Sequence, residues 1–124
     1  MLLCFAVYKC AVSLTGDRLY IINWSQNKLL TLARDGTLLA TFTDPELRGP
    51  VGLHVTPAGQ VLVCGSSSCT ILQVGSEGRS KLATLATRER DGMWLPSSVC
   101  YSSTTSSIIV GQNIDNNILV FRVE

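Results

Sequence analysis

One arrangement recurs three times along this chain, and a repeat constrains the fold more than any single motif does. Leu19-Tyr20-Ile21 is matched by Val61-Leu62-Val63 and again by Ile108-Ile109-Val110. The next segment keeps step: Lys28-Leu29-Leu30-Thr31-Leu32 falls on Thr70-Ile71-Leu72-Gln73-Val74, then on Asn117-Ile118-Leu119-Val120-Phe121. Asp35-Gly36 falls on Glu77-Gly78, and with one extra residue Leu39-Ala40-Thr41-Phe42 falls on Leu82-Ala83-Thr84-Leu85. Pro50 and Pro96 open corresponding segments.

The middle unit, Pro50 to Leu85, shows what is repeated. Gly52 to Thr56 is apolar and extended, Pro57-Ala58-Gly59 is a turn, and Gln60 to Cys64 is a second strand. Gly65 to Ser68 breaks it, Thr70 to Val74 makes a third strand, Ser76-Glu77-Gly78 supplies hairpin chemistry, and Lys81 to Leu85 makes a fourth. Four short strands repeating at about 45 residues are the signature of β-propeller blades. The expected fold is all-β, a partial β-propeller of about three four-stranded antiparallel blades. One domain covers 1–124: 2–7 is the outer strand of a preceding blade, 9–42 blade one, 50–85 blade two and 96–123 an incomplete blade three. Known rings hold about four to eight blades. The chain therefore reads as part of a longer propeller, the missing blades supplied in cis, or in trans by a second copy that completes a six-bladed ring.

Composition agrees. The 124 residues are 46% hydrophobic and 15% charged, with mean hydropathy +0.29. Strands buried on both faces need this much apolar residue. The net charge of +1 is spread without a lysine or arginine run, so the footprint of a strong nucleic-acid or membrane binder is missing. No segment approaches the roughly 20 apolar residues of a membrane span. Met1 to Val7 has no basic residue ahead of it, which argues against a signal peptide. Five cysteines leave one unpaired under any disulfide scheme, which favours a reducing compartment; the expected localisation is cytoplasmic.

The order of features resembles NHL repeats: a proline-led first strand, a glycine turn, an apolar second strand ending in a short polar loop, an apolar third strand, an acidic-glycine turn and a fourth strand. The resemblance covers nearly all of the chain, is clearest in Phe42–Leu85 and Pro96–Phe121, and is similar to the C-terminal propellers of tripartite-motif proteins. Where that family usually closes the second strand with Asp, this chain has Ile22-Asn23, Cys64-Gly65 and Gly111-Gln112. The resemblance implies a recognition platform for proteins or, in some members, single-stranded RNA. Ligase activity in that family belongs to an N-terminal zinc-binding RING, and no such Cys/His array stands in this sequence.

Alternate connections of an antiparallel meander emerge on the same side, so one face should carry Asn23–Asn27, Thr43–Gly49, Gly65–Ser68, Arg88–Leu95 and Gln112–Asn116. The opposite face carries turns too short to shape a site. On the loop face Trp24, Arg48, Arg88, Arg90 and Trp94 are the candidate partner-binding residues, since Trp and Arg dominate binding hot spots. Trp94, beside Leu95 and two residues before Pro96, alternatively packs between blades, and Arg88-Glu89-Arg90-Asp91 alternates in sign as a solvated loop does. Arginines near tryptophans would suit stacked bases, but Asp44, Glu46, Glu89, Asp91 and Asp115 share the face. His54 lies on a channel-lining strand, with Cys100 and Val12 or Ser13 as its equivalents. One weak pair falls short of the several convergent ligands a metal needs. Cys64 and Cys69 flank a four-residue connection and could face each other at disulfide distance, or stay reduced as small apolar side chains. Ser102–Ser107 reads as the longer turn between the first two strands of blade three. The expected role is a non-catalytic protein-interaction module with no cofactor and no membrane partner. An RNA-binding propeller segment is the alternative; a propeller hydrolase or lyase fragment comes third.

Overall fold

The computed structural model describes residues 8–112 and 118–122. The strand expected over 2–7, most of the loop expected at 112–116, and Val123 lie outside them. The first sheet is an antiparallel meander of β1 (Lys9–Val12), β2 (Arg18–Asn23), β3 (Lys28–Ala33) and β4 (Leu38–Phe42). The second repeats it with β5 (Pro50–Val55), β6 (Val61–Gly65), β7 (Thr70–Val74) and β8 (Lys81–Thr87). After α1 (Arg88–Asp91), the third contains β9 (Pro96–Ser102), β10 (Ser107–Gln112) and β11 (Ile118–Arg122). The fourth strand of the second sheet runs two residues past the expected Leu85, carried by register shifts opposite Ile71/Leu72 and Gln73/Val74.

The residue pattern explains the stacking. In β6 all five residues are buried, because the strand is covered on both faces. Val61 and Val63 join Tyr20, Ile22, Leu29, Phe42, Leu72 and Val74 in the core between sheets one and two. Their neighbours Leu62 and Cys64 point the other way, joining Ile71, Ala86, Val99, Ile108 and Val110 between sheets two and three. A one-residue slip would exchange the two sets, and both interfaces depend on the same register. On β11 only one side is covered: Leu119 and Phe121 pack toward sheet two, while Ile118 and Val120 are 66% and 63% exposed.

The first strands of neighbouring sheets contact one another, β1 with β5 and β5 with β9, which is the inner-strand convergence of a propeller. Gly52 permits it. A Cβ there would meet Cys64 Cβ and Ser98 Cα, each at 3.2 Å, so the backbone of β9 could not come so close to a larger residue. Cross-strand register corrects one equivalence. His54 pairs with Leu62, Cys100 with Ile109 and Ala11 with Tyr20, so the repeat-mate of His54 on β1 is Ala11, not Val12 or Ser13. Among the described residues no helix is long and apolar enough to cross a membrane.

Candidate functional site: the loop face

Hydrogen bonds join the loops of the three sheets in sequence. The Gly49 N–H donates to Asn27 Oδ1 at 2.9 Å, tying the β4–β5 connection to the β2–β3 loop. The N–H groups of Ser66 and Ser67 donate to the carbonyls of Gly49 (3.0 Å) and Arg48 (3.1 Å), which brings in the β6–β7 loop. The Leu95 N–H then donates to Cys69 Sγ at 3.4 Å, and the Trp94 N–H to Gln112 Oε1 at 2.9 Å, reaching the third sheet. These loops form one face, tied by backbone N–H groups that donate to neighbouring carbonyls and to Asn27 Oδ1, Cys69 Sγ and Gln112 Oε1. The Trp24, Arg48, Arg88 and Trp94 side chains take no part in these ties.

The β4–β5 connection is the best anchored. Leu47 is buried in the core between sheets one and two, and the Glu46 carbonyl accepts from Thr70 Oγ1 at 2.6 Å. The Glu46 carboxylate takes Lys81 Nζ at 2.8 Å and Thr84 Oγ1 at 2.7 Å. Both bonds favour the ionised form and hold its pKa below the usual value, the lysine contributing most. The same ammonium lies 3.4 Å from Asp44. Two acidic groups of the face are therefore already occupied with a lysine of the second sheet. Beside them a depression of about 400 Å³ is bounded by Gln26, Asn27, Lys28, Thr43, Asp44, Pro45, Leu47 and Arg48.

The five candidate side chains do not form one cluster. Trp24, in the β2–β3 loop, is 59% exposed. Arg48 is exposed at the edge of the depression. Arg88 lays its guanidinium 4.1 Å from the centroid of the Trp94 ring, a cation–π pair. Arg90 is committed to its own segment, with Nε donating to Asp91 at 3.0 Å and Nη2 to the Thr84 carbonyl at 3.2 Å. The segment expected as a solvated loop is a one-turn helix. Thr87 caps it by accepting from the Arg90 N–H, Gly92 ends it at φ +69°, and the Asp91 carboxylate accepts from the Thr87 N–H. Those short-range bonds outweigh the loop expectation drawn from charge alternation.

Trp94 does not fill the gap between blades. Its predecessor Met93 does: Met93 is fully buried among Leu62, Cys64, Ile71 and Ile108, whereas Trp94 is 38% exposed. The sequence signal for Met93 was its place at the head of the apolar run Met93-Trp94-Leu95, where the larger neighbouring tryptophan masked it. Leu95 follows at φ +45°, a conformation costly for a bulky side chain, and its N–H is held by the Cys69 sulfur.

The remaining sequence candidates have structural settings. Cys64 and Cys69 are free and buried. Burial pushes the Cys64 thiol up to about 12, far from the range of a nucleophilic thiolate. His54 is half-buried, and desolvation lowers its pKa. Among the described residues no three His, Cys, Asp or Glu side chains converge as metal ligands would. Ser102–Ser107 spans the end of β9, an exposed turn and the start of β10. The opposite face departs from expectation: its turns at Thr56–Ala58 and Ser103 border a cavity of about 310 Å³ between sheets two and three.

No family model and no curated protein matches the chain. Solved structures do. It is similar to hydrazine synthase of Kuenenia stuttgartiensis, with 20% identity and a TM-score of 0.78 over 94% of this chain and 32% of that one. It is also similar to virginiamycin B lyase of Staphylococcus aureus, with 12% identity and a TM-score of 0.65 over 95% of this chain and 41% of the lyase. A catalytically inactive variant of that lyase, solved with quinupristin, gives 16% identity and a TM-score of 0.67 over 94% of this chain and 41% of the lyase. The chain spans about a third to two-fifths of the structures it matches. With three stacked antiparallel sheets and inner first strands, the chain has the fold of part of a β-propeller.

Proposed function

We propose that the chain is a non-catalytic protein-interaction module, part of a larger NHL-type propeller used for partner recognition in a tripartite-motif-like protein. The observation that supports this most is the continuity of the loop face. Hydrogen bonds from backbone N–H groups to carbonyls and to the Asn27, Cys69 and Gln112 side chains make a continuous floor. Trp24, Arg48 and the Arg88–Trp94 pair stand on it exposed. Large amphipathic side chains on a pre-ordered floor lose little entropy on binding, which is what a recognition surface requires. The blades that complete the ring come from the longer chain or from a second copy.

The test is site-specific photocrosslinking in cells, with a benzophenone amino acid at Trp24 or Trp94 on the loop face, and at Asp35 on the turn face as control. The reading expects discrete protein adducts from positions 24 and 94, and few or none from position 35. Equal adducts from both faces, or adducts to RNA alone, would overturn it.

A further inference from the structure

The cavity between sheets two and three has a smaller counterpart of about 240 Å³ between sheets one and two, where Asp17 and Arg18 stand beside Tyr20 and Ser76. Tyr20 and Leu62 are repeat-mates, each pairing with the first strand and facing the following sheet. At the first junction the Tyr20 ring spans the gap, and its hydroxyl donates to the Ser76 carbonyl at 2.6 Å. At the second junction Leu62 is too short to do this, and the open space is larger, about 310 Å³, and lined without charge. That volume is at the lower end of the roughly 300–1,000 Å³ of small-molecule sites.

The walls indicate what would enter. Leu62, Leu85, Ile108 and the ring of Tyr101 form an apolar floor, and no Asp, Glu, Lys, Arg or His lines the space. Two carboxamides stand at it: Gln73 Nε2 donates to Gln60 Oε1. After that bond Gln60 still carries its NH₂ group and Gln73 its carbonyl. A ligand carboxamide satisfies both, its carbonyl accepting from Gln60 and its N–H donating to Gln73. A carboxylate instead sets its charge against the Gln73 carbonyl in a site with no cation. We infer that this inter-blade cavity is a binding site for a small apolar molecule bearing one uncharged carboxamide. It lies on the face away from the recognition loops and is independent of them.

Benzamide is a suitable probe and benzoate its charged isostere. In ¹H–¹⁵N NMR titrations the side-chain amide signals of Gln60 and Gln73 are expected to shift with millimolar benzamide, and benzoate to bind at least roughly tenfold more weakly. Leu62→Tyr puts a bulky ring in place of a side chain that lines the cavity and is expected to abolish the shifts while the protein stays folded by circular dichroism. Should that variant not fold, Gln73→Leu keeps the volume, removes the acceptor and is expected to weaken benzamide roughly tenfold. Equal affinity for benzoate, unperturbed Gln60 and Gln73 signals, or undiminished binding in the folded variant would each overturn the assignment.

Discussion

The hydroxyl of Tyr20 donates to the Ser76 carbonyl across 2.6 Å, binding the second strand of one sheet to a turn of the next. The ring itself is fully buried in the core between them. Stacked blades here are held by apolar area, with a few polar ties at the edges fixing their relative position. Tyr20→Phe keeps the ring and removes the tie. It is expected to lower stability by about 0.5–1.5 kcal/mol, read as a lower urea midpoint at unchanged slope. A change in slope would show that the two sheets had begun to unfold separately.

Thr31 gives the opposite sign. Its Oγ1 is buried without a hydrogen-bond partner among the described residues, beneath Gly78. Replacing an unsatisfied buried hydroxyl by a methyl group removes a desolvation penalty, so Thr31→Val should raise stability by about 1 kcal/mol. Gly78 has no such freedom. At φ +74°, with a Cβ driven into the Thr31 hydroxyl, Gly78→Ala combines about 1–2 kcal/mol of left-handed strain with about 1–3 kcal/mol of overpacking. Its repeat-mate Gly36 sits at φ +90° with open space around it, so Gly36→Ala costs only the strain term. Thermal unfolding of the three variants should rank Thr31→Val above wild type, then Gly36→Ala, then Gly78→Ala.

Met93 and Trp94 separate packing from presentation. Met93→Ala is expected to cost about 2–5 kcal/mol, the usual range for a buried large-to-small change. Trp94→Ala loses mainly the Arg88 stack, about 0.5–1 kcal/mol. Chemical denaturation of the two variants tests this, and a larger loss for the tryptophan would mean that the connection packs the other way round.

Four-strand units, their order and the stacking of apolar sheets were legible in the sequence, because repeated apolar segments with turn residues at fixed offsets carry that information locally. Two things were not. Arg88–Asp91 forms a helix through Thr87 and Gly92 caps, a tie weaker in pattern than the alternating charge that suggested a loop. The inter-blade cavity, with Leu62 where the first junction has Tyr20 and without that junction's Asp17 and Arg18, is visible only once the sheets are stacked. Of the five candidate side chains, Arg88 and Trp94 come together, Arg90 turns back to Thr84 and Asp91, and neither pairing has a signal in spacing alone.

Acid should weaken the fold in two stages. Desolvation lowers the folded-state pKa of His54 below the ordinary imidazole value of 6.5, so the unfolded chain takes the proton first. Stability from this group is complete above 6.5 and is lost as pH falls through the folded value. Glu46, held below 4.5 chiefly by Lys81 and then Thr84, contributes stability above 4.5 that disappears at lower pH. Urea midpoints across this range should decline in both windows. His54→Gln should flatten the upper one and Glu46→Gln the lower, and a His54 variant with an unchanged profile would remove the upper assignment.

The propeller arrangement depends on the sheets stacking through their first strands, and a nuclear Overhauser spectrum measures that stacking directly. Gly52 and Ser98 belong to different sheets, and their backbones approach so closely that a Gly52 Cβ would lie 3.2 Å from Ser98 Cα. The expected result is a cross-peak between the α-protons of Gly52 and Ser98, together with one from the Tyr20 ring to Ser76. Cross-peaks confined to strands within each sheet, with none between sheets, would contradict the propeller arrangement and the loop face built on it.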